Sequence, residues 1–517
     1  MDDQEKGFSM RVKHVWIIFT AIVLLGLAVR LYGINLPLVE SHQGRQAQTA
    51  MMTRNLYDDN MNIFCTRLDF LGNIPGYVIM EFPFMHGITA LLYHLFGVCE
   101  IIGRLVSVAF SVGAMFLIYG LARRFLSRIG AFAALTLYAF SPMNIFFSRA
   151  FMSESSMLFF TIGAVYFLLK WLDKQALSLY VTAIIFAAVV GLTKPTAGIM
   201  FIPLFVAWFL KYRWEVFKRF DFWCYMSLAV APCILWVVYA HYFNLINSPP
   251  FGFGDSWFEL VGKRGIVEHW FDPEFYMRVG GSIILLLLTP LGFIGTVGGI
   301  FCAGKGKQRR FLYSWLGAIV IYFYALSGVV KGHIYYHLLL LPLAVIFFGF
   351  SVDWLLARRD LLRKIFKRKA VVLSSAILVF LILTGYAVGY LKYFEYMYEN
   401  RMPYTLKVSE IIRERTPKNR FILLNQPIVM PAVETYYSQC RTWYFDTGGG
   451  KNTIDELERL RRNGATTYVA IDTKYGSGVK STKKNKYLWQ HLNEKYTPIA
   501  VTDHYLIFDI REEKERM

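Results

Sequence analysis

Eleven apolar runs, each near the ~20 residues a helix needs to cross a bilayer, constrain this chain more than any other feature. They lie at about 15–34, 103–122, 129–147, 155–171, 177–193, 196–211, 222–243, 280–301, 311–328, 334–352 and 370–391. No single soluble core can absorb so many. Charged residues make up only 18% of the chain and hydrophobic residues 56%, against about 25% charge in soluble domains. The expected class is a polytopic α-helical membrane protein of about eleven spans. The net charge of +19 would suggest nucleic acid in a soluble protein. Here Lys and Arg belong in loops, and no nucleic-acid partner is expected. The first run ends without a small-residue cleavage site and reads as a retained helix. The six cysteines form no CxxC, so neither a metal nor a disulfide framework is expected.

The basic residues decide a count that hydropathy leaves open. The run 82–97 is also apolar, but it is short and contains Pro83, His86 and His94. We read it as a helix lying at the interface. With the N-terminus inside, the inner loops then hold Arg123, Arg124 and Arg128; Lys305, Lys307, Arg309 and Arg310; and the dense stretch Arg358 to Lys369. That agrees with the positive-inside rule. Were 82–97 a span, every later loop would change sides. Two long outer loops result, 35–102 and 244–279, and long loops without a fold of their own are usually functional.

The expected domains are a membrane domain, 1–393, and a soluble domain, 394–517, on the extracytoplasmic side of the cell (inner) membrane. Short strands at 420–424, 467–471 and 504–508 alternate with helical stretches at 454–462 and 487–495, the pattern of a small α/β domain. Thr447-Gly-Gly-Gly-Lys451 lacks P-loop spacing and a strand-to-helix setting, and reads as a loop.

Ionisable residues at span ends are the functional candidates, and they gather on the expected outer side. Glu40, His42, Arg45 and Gln46 follow the first run. Glu81-Phe-Pro83 precedes the interfacial helix and Arg104 lies beyond it. Ser148-Arg149 leads to Glu154. Lys194 sits between two runs. Lys331, His333, Tyr335, Tyr336 and His337 lead into another. Two carboxylates, several cations and a helical bundle suit group transfer from a lipid-phosphate donor. A carboxylate takes the acceptor's proton, and cations, with or without a divalent metal ion, stabilise the leaving phosphate. No organic cofactor is expected and no metal ligands are assigned.

At these residues the chain resembles the GT-C superfamily of membrane glycosyltransferases, nearest its protein O-mannosyltransferase-like (PMT-like) branch, which includes the aminoarabinose transferase. The resemblance covers roughly 10–390. It is carried by Glu40 to Arg54, by Glu81 to Pro83 with Gly103 to Ser107, by Arg149 with Glu154, by Leu192 to Pro195, and by His333 to Pro342. It implies transfer of one sugar, hexosyl or pentosyl, from a polyprenyl-phosphate donor to a lipid, glycan or protein acceptor on the outer face, with inversion. It further implies Glu40 as the catalytic carboxylate and Glu154 as its supporting acid, with Arg104, Lys331 and His333 facing the donor phosphate. His42, Arg45, Glu81, Arg149, Lys194, Tyr335, Tyr336 and His337 complete the expected substrate-binding set. The branch commonly shows Asp-Glu where Glu40 stands alone, which leaves Asp58, Asp59 and Asp69 as alternatives. A transporter or flippase of lipid-linked substrates is the competing class. It fits less well because the chain shows no repeat and most charges sit at span ends. The sequence names neither the sugar nor the acceptor.

Overall fold

The computed structural model describes residues 12–69, 72, 74–247, 268–358, 390–416, 421–426, 431–448 and 450–514. The chain divides into two compact units. One comprises Met1–Ile34, Arg104–Val238 and Trp257–Glu395. The other comprises Asn35–Gly103, Tyr239–Ser256 and Tyr396–Met517.

The first unit is helical. Among the described residues, six helices are long and apolar enough to cross a membrane: His14–Leu31, Glu100–Ala122, Glu154–Lys174, Pro195–Lys218, Phe220–Asn247 and Ile334–Ala357. Two bent pairs, Arg128–Phe140 with Pro142–Arg149 and Pro273–Leu287 with Thr289–Cys302, raise the number to eight. Of the three other expected spans, 177–193 is a helix of 17 residues. A second, 311–328, overlaps Gly306–Ala325, whose first turn is basic rather than apolar, and runs past its end into Ser327–Gly332. The third, 370–391, lies almost wholly outside the described residues, as do Lys263, Arg264 and the 359–369 part of the basic stretch. The run 82–97 becomes Phe84–Phe96, 13 residues; at 1.5 Å per residue it covers about 20 Å, short of the ~30 Å hydrocarbon core.

Both bends have local causes. Pro142 cannot continue the preceding helix, and Ser141 caps the new one by accepting from Asn144 N at 3.4 Å. The pair turns by 58°. At the second break Thr289 is held at φ 67°, a strained conformation for a β-branched residue, and the pair turns by 103°. Ser141 Oγ donates to Leu287 O at 2.6 Å, so the two breaks satisfy one another. Arg30, fully buried, donates to Ala139 O at 2.8 Å near the open end of 128–140 and to Ser111 Oγ at 2.9 Å. Helix 341–357 approaches its neighbours almost backbone to backbone: a Cβ at Gly299 would lie 1.7 Å from Phe347 O, and one at Gly349 would lie 2.7 Å from Gly130 O. Small residues make such packing available in lipid, where apolar burial alone gives helices no reason to associate.

The second unit is built on a mixed sheet in the order β2-β1-β3-β6-β5. Its strands are β1 Phe421–Asn425, β2 Arg441–Tyr444, β3 Ala465–Thr473, β4 Gly476–Ser477, β5 Thr497–Val501 and β6 Tyr505–Asp509. β4 pairs with β3 off the main path. β1 runs parallel to β2 and β3, and β6 runs antiparallel to β3 and β5. β1 is buried along its whole length, as expected of a strand covered on both faces. In the first long loop, residues 66–68 pair with 76–78, with Val78 N on Thr66 O and Leu68 N on Gly76 O. The same loop then covers the β2 edge: Thr442 N donates to Asp69 O and Gly72 N to Thr442 O, at 2.9 and 2.8 Å. The Thr447–Lys451 segment is a loop, but it leads from β2 into helix Asn452–Arg462. The strand-to-helix setting that the sequence did not reveal is therefore present.

Candidate active site

Within the second unit, Glu40 sits in a sharp entry to helix Gln43–Asp58. His42, its N-cap, is left-handed at φ 56°, a conformation that L-residues keep only when their surroundings enforce it. The turn brings Gln46 back so that its Nε2 donates to Ser41 O at 3.0 Å and reaches Glu40 Oε1 at 3.4 Å. Backbone bonds clamp both sides of the acid: Arg401 N donates to Val39 O at 2.8 Å and Ser41 N to Met397 O at 3.0 Å. Glu40 is 1% exposed. Arg45 grips Glu81 with one nitrogen on both carboxylate oxygens, at 2.7 and 2.8 Å. The sequence placed Arg45 and Glu81 in the same set but did not pair them, because the pairing depends on the intervening loop.

Within the first unit, two further groups form. Arg104 and Arg149, both fully buried, converge on one carbonyl, Gly33 O, at 2.8 and 2.9 Å. Two guanidiniums are thus brought to one carbonyl just past the first helix. In the other group Lys194 donates to Glu154 Oε1 at 2.5 Å, with both side chains 3% exposed. Its ammonium lies over the rings of Tyr335 and Tyr336, 4.5 and 4.4 Å from the centroids. His333 stacks on Tyr335 at 5.4 Å. Among the described residues, Glu154 Oε2 is buried with no hydrogen-bond partner. The break after Thr193 explains Lys194: its extended backbone at φ −154° interrupts the helices and turns the side chain away from the 177–193 ladder.

Two expected residues have partners that the sequence did not supply. Lys331 is held by Asp272 at 2.8 Å and Glu274 at 2.7 Å. The hydrogen bond from Lys331 is the first cause holding the Asp272 carboxyl below its usual range. The one signal available was the acid pair in Asp272-Pro-Glu274 at the end of the second long loop. His337 is tied to Ser282 Oγ at 3.0 Å and Val330 O at 3.1 Å, which fixes its ring within the packing.

Among the described residues no three or more His, Cys, Asp or Glu side chains are grouped to hold a metal ion. Glu81, Glu154 and Asp272 are each engaged by a cation. These residues do not fit a metal centre, and no step below passes through one.

The fold matches those of solved structures. The structure of ArnT from Cupriavidus metallidurans bound to undecaprenyl phosphate matches with a TM-score of 0.64 at 16% identity, covering 96% of this chain and 98% of that one. The archaeal oligosaccharyltransferase AglB from Archaeoglobus fulgidus, in complex with an inhibitory peptide and a dolichol-phosphate, matches at 0.58 and 12% identity, over 96% and 74% of the two chains. Another structure of the Archaeoglobus oligosaccharyltransferase is a complex with Zn and sulfate. The mycobacterial arabinofuranosyltransferase AftD matches at 0.52 and 11% identity, and this chain covers 40% of it. The chain therefore has the fold that these structures share. Residues 82–239 match the sequence model of the family described as "Dolichyl-phosphate-mannose-protein mannosyltransferase". Compared by sequence with curated proteins, the chain has no significant match. The chain thus shares the fold of these structures, and its segment 82–239 is similar to that mannosyltransferase family.

Proposed function

We propose that the protein transfers a single sugar from a polyprenyl-phosphate donor to an acceptor at the extracytoplasmic face of the cell membrane. The observation that carries this reading is the convergence of Arg104 and Arg149 on Gly33 O in a fold shared, over 96% of the chain, with a protein bound to undecaprenyl phosphate. Buried guanidiniums suit a phosphate head, since each presents a fork of N–H donors to its oxygens. Lys331 is shared between two carboxylates.

In this reading Glu40 is the base. It takes the proton of an acceptor hydroxyl or amine as that atom bonds to the anomeric carbon. The carbon–oxygen bond to phosphate breaks in the same displacement, and its electron pair leaves with the polyprenyl phosphate. A single back-side displacement inverts the anomeric carbon. Glu154 and Lys194 form the supporting pair, with Glu154 Oε2 as the open acceptor for a substrate hydroxyl. The C-terminal sheet domain and the first loop brace Glu40 through Val39 and Ser41.

Binding of undecaprenyl phosphate to the purified full chain in detergent tests the donor half. Arg104→Lys, which keeps the charge and removes the fork, is expected to weaken binding at least fivefold. Equal binding by Arg104→Lys and Arg149→Lys would remove the phosphate site from the reading.

A further inference from the structure

The unit containing 35–103 and 396–517 holds a cavity of about 620 Å³. That is within the ~300–1,000 Å³ range of small-molecule sites, yet its walls are ionic. Helix Gln43–Asp58 contributes Arg54 and Asp58, the folded-back loop Arg67 and Asp69, and the start of the helix at Glu100 a third acid. The C-terminal domain contributes Arg413, Tyr436 and Arg441.

The arginines divide into two kinds. Arg54 donates to Asp69 at 3.2 Å and to Tyr436 O at 3.0 Å. Arg67 is bound by Asp59 at 2.6 Å and Asp69 at 2.9 Å. These two are part of the wall. Among the described residues, Arg413 and Arg441 have no carboxylate partner. Two arginine forks thus border a space far larger than a phosphate ion. Asp58, Glu100 and the exposed amide of Gln439 border it as well. The forks call for an anion, and carboxylates and amides call for hydroxyl groups. Among the described residues, Val98 is the one aliphatic residue in the lining, so a lipid tail finds little apolar wall here.

We propose that this cavity binds an anionic saccharide, a sugar bearing a phosphate or carboxylate, as the recognition element of the acceptor. The word acceptor rests on the glycosyl-transfer reading; the binding does not.

The test uses the full chain in detergent with glucose 6-phosphate as probe and glucose and inorganic phosphate as comparisons, read by ligand-observed NMR or calorimetry. Glucose 6-phosphate is expected to bind at least tenfold more tightly than either. The double variant Arg413→Gln with Arg441→Gln, whose positions lie at the cavity wall and not among the residues placed at the donor, is expected to abolish that preference. It should leave undecaprenyl phosphate binding and thermal unfolding unchanged. Equal binding of inorganic phosphate, binding indifferent to the double variant, or no binding would each overturn the proposal. So would displacement of the probe by phosphatidylglycerol in nanodiscs, which would assign the cavity to a lipid headgroup. Probe binding without any sugar transfer would leave this site standing and remove the glycosyl-transfer reading; transfer without probe binding would do the reverse.

Discussion

Replacing Lys194 by Met is the most informative single change in the first unit. Its ammonium is 2.5 Å from Glu154 Oε1 with both side chains 3% exposed, and it lies against two phenol rings. At an effective dielectric of about 20, two unit charges at that distance attract by about 7 kcal/mol. Desolvation of both ions cancels much of this, so the pair's net contribution is small, but losing one partner strands the other as a buried charge. The expected destabilisation is about 3–5 kcal/mol, with about 1–2 kcal/mol more from the lost ring contacts. Met is close to Lys in length, so little of this reflects a cavity. Glu154→Gln added to Lys194→Met removes the stranded charge and should restore most of the stability. It should not restore turnover if the pair serves the reaction. Denaturant or thermal unfolding of the four proteins forms a double-mutant cycle, run beside a transfer assay. A Lys194→Met protein within about 1 kcal/mol of the parent would refute the reasoning.

Three further outcomes follow. Burial pushes the Glu434 carboxyl, in the C-terminal domain, up to about 7 from 4.5. The folded state then holds more protons than the unfolded state between pH 4.5 and 7, so stability falls as pH rises through that window, by about 3 kcal/mol; Glu434→Gln should flatten the unfolding profile between pH 5 and 8. Glu458 is opposite in sign: burial raises it, but hydrogen bonds from Tyr496, His491 and Arg461 together hold it at about 2. Its stabilisation is present above pH 4.5 and is lost as pH falls toward 2, and Glu458→Gln should make acid unfolding less steep. For sidedness, Cys440 is buried and will not report by labelling. Lys480→Cys, at an exposed position, should react with a membrane-impermeant maleimide in intact cells above the parent's background, and labelling only after lysis would reverse the topology.

Much of the helical architecture was legible because lipid-facing helices write their length into hydropathy. All ten expected runs that fall in described residues coincide with a helix or a bent pair. The bends were less legible. Run 280–301 is apolar throughout, and the π-turn 283–287 with Thr289 at φ 67° leaves no mark on periodicity. In the C-terminal domain β1, β3 and β6 were legible because they are short apolar runs containing β-branched and aromatic residues. β2 and β5 were not: β2 has four residues, and Pro498 within β5 weakens a strand signal at the sheet edge. The site residues could be named singly because charge beside apolar runs is conspicuous. Their pairings could not, since Arg45 with Glu81 and Lys194 with Glu154 are 36 and 40 residues apart. The charged cavity was missed for the same reason: its arginines come from segments that only the fold brings together.

The central claim, that a carboxylate in the first loop drives sugar transfer from a lipid-phosphate donor, is tested most directly by following consumption of the donor. Purified protein is incubated with a panel of polyprenyl-phosphate sugars, and release of polyprenyl phosphate is measured by mass spectrometry for the parent and for Glu40→Gln. The account predicts that the parent consumes at least one donor. Glu40→Gln should bind that donor as tightly and consume it about 10²–10⁴-fold more slowly, the usual contribution of a positioned acid–base group. Equal consumption by Glu40→Gln would contradict the account and return the role of base to Glu154 or to an Asp of 58–69.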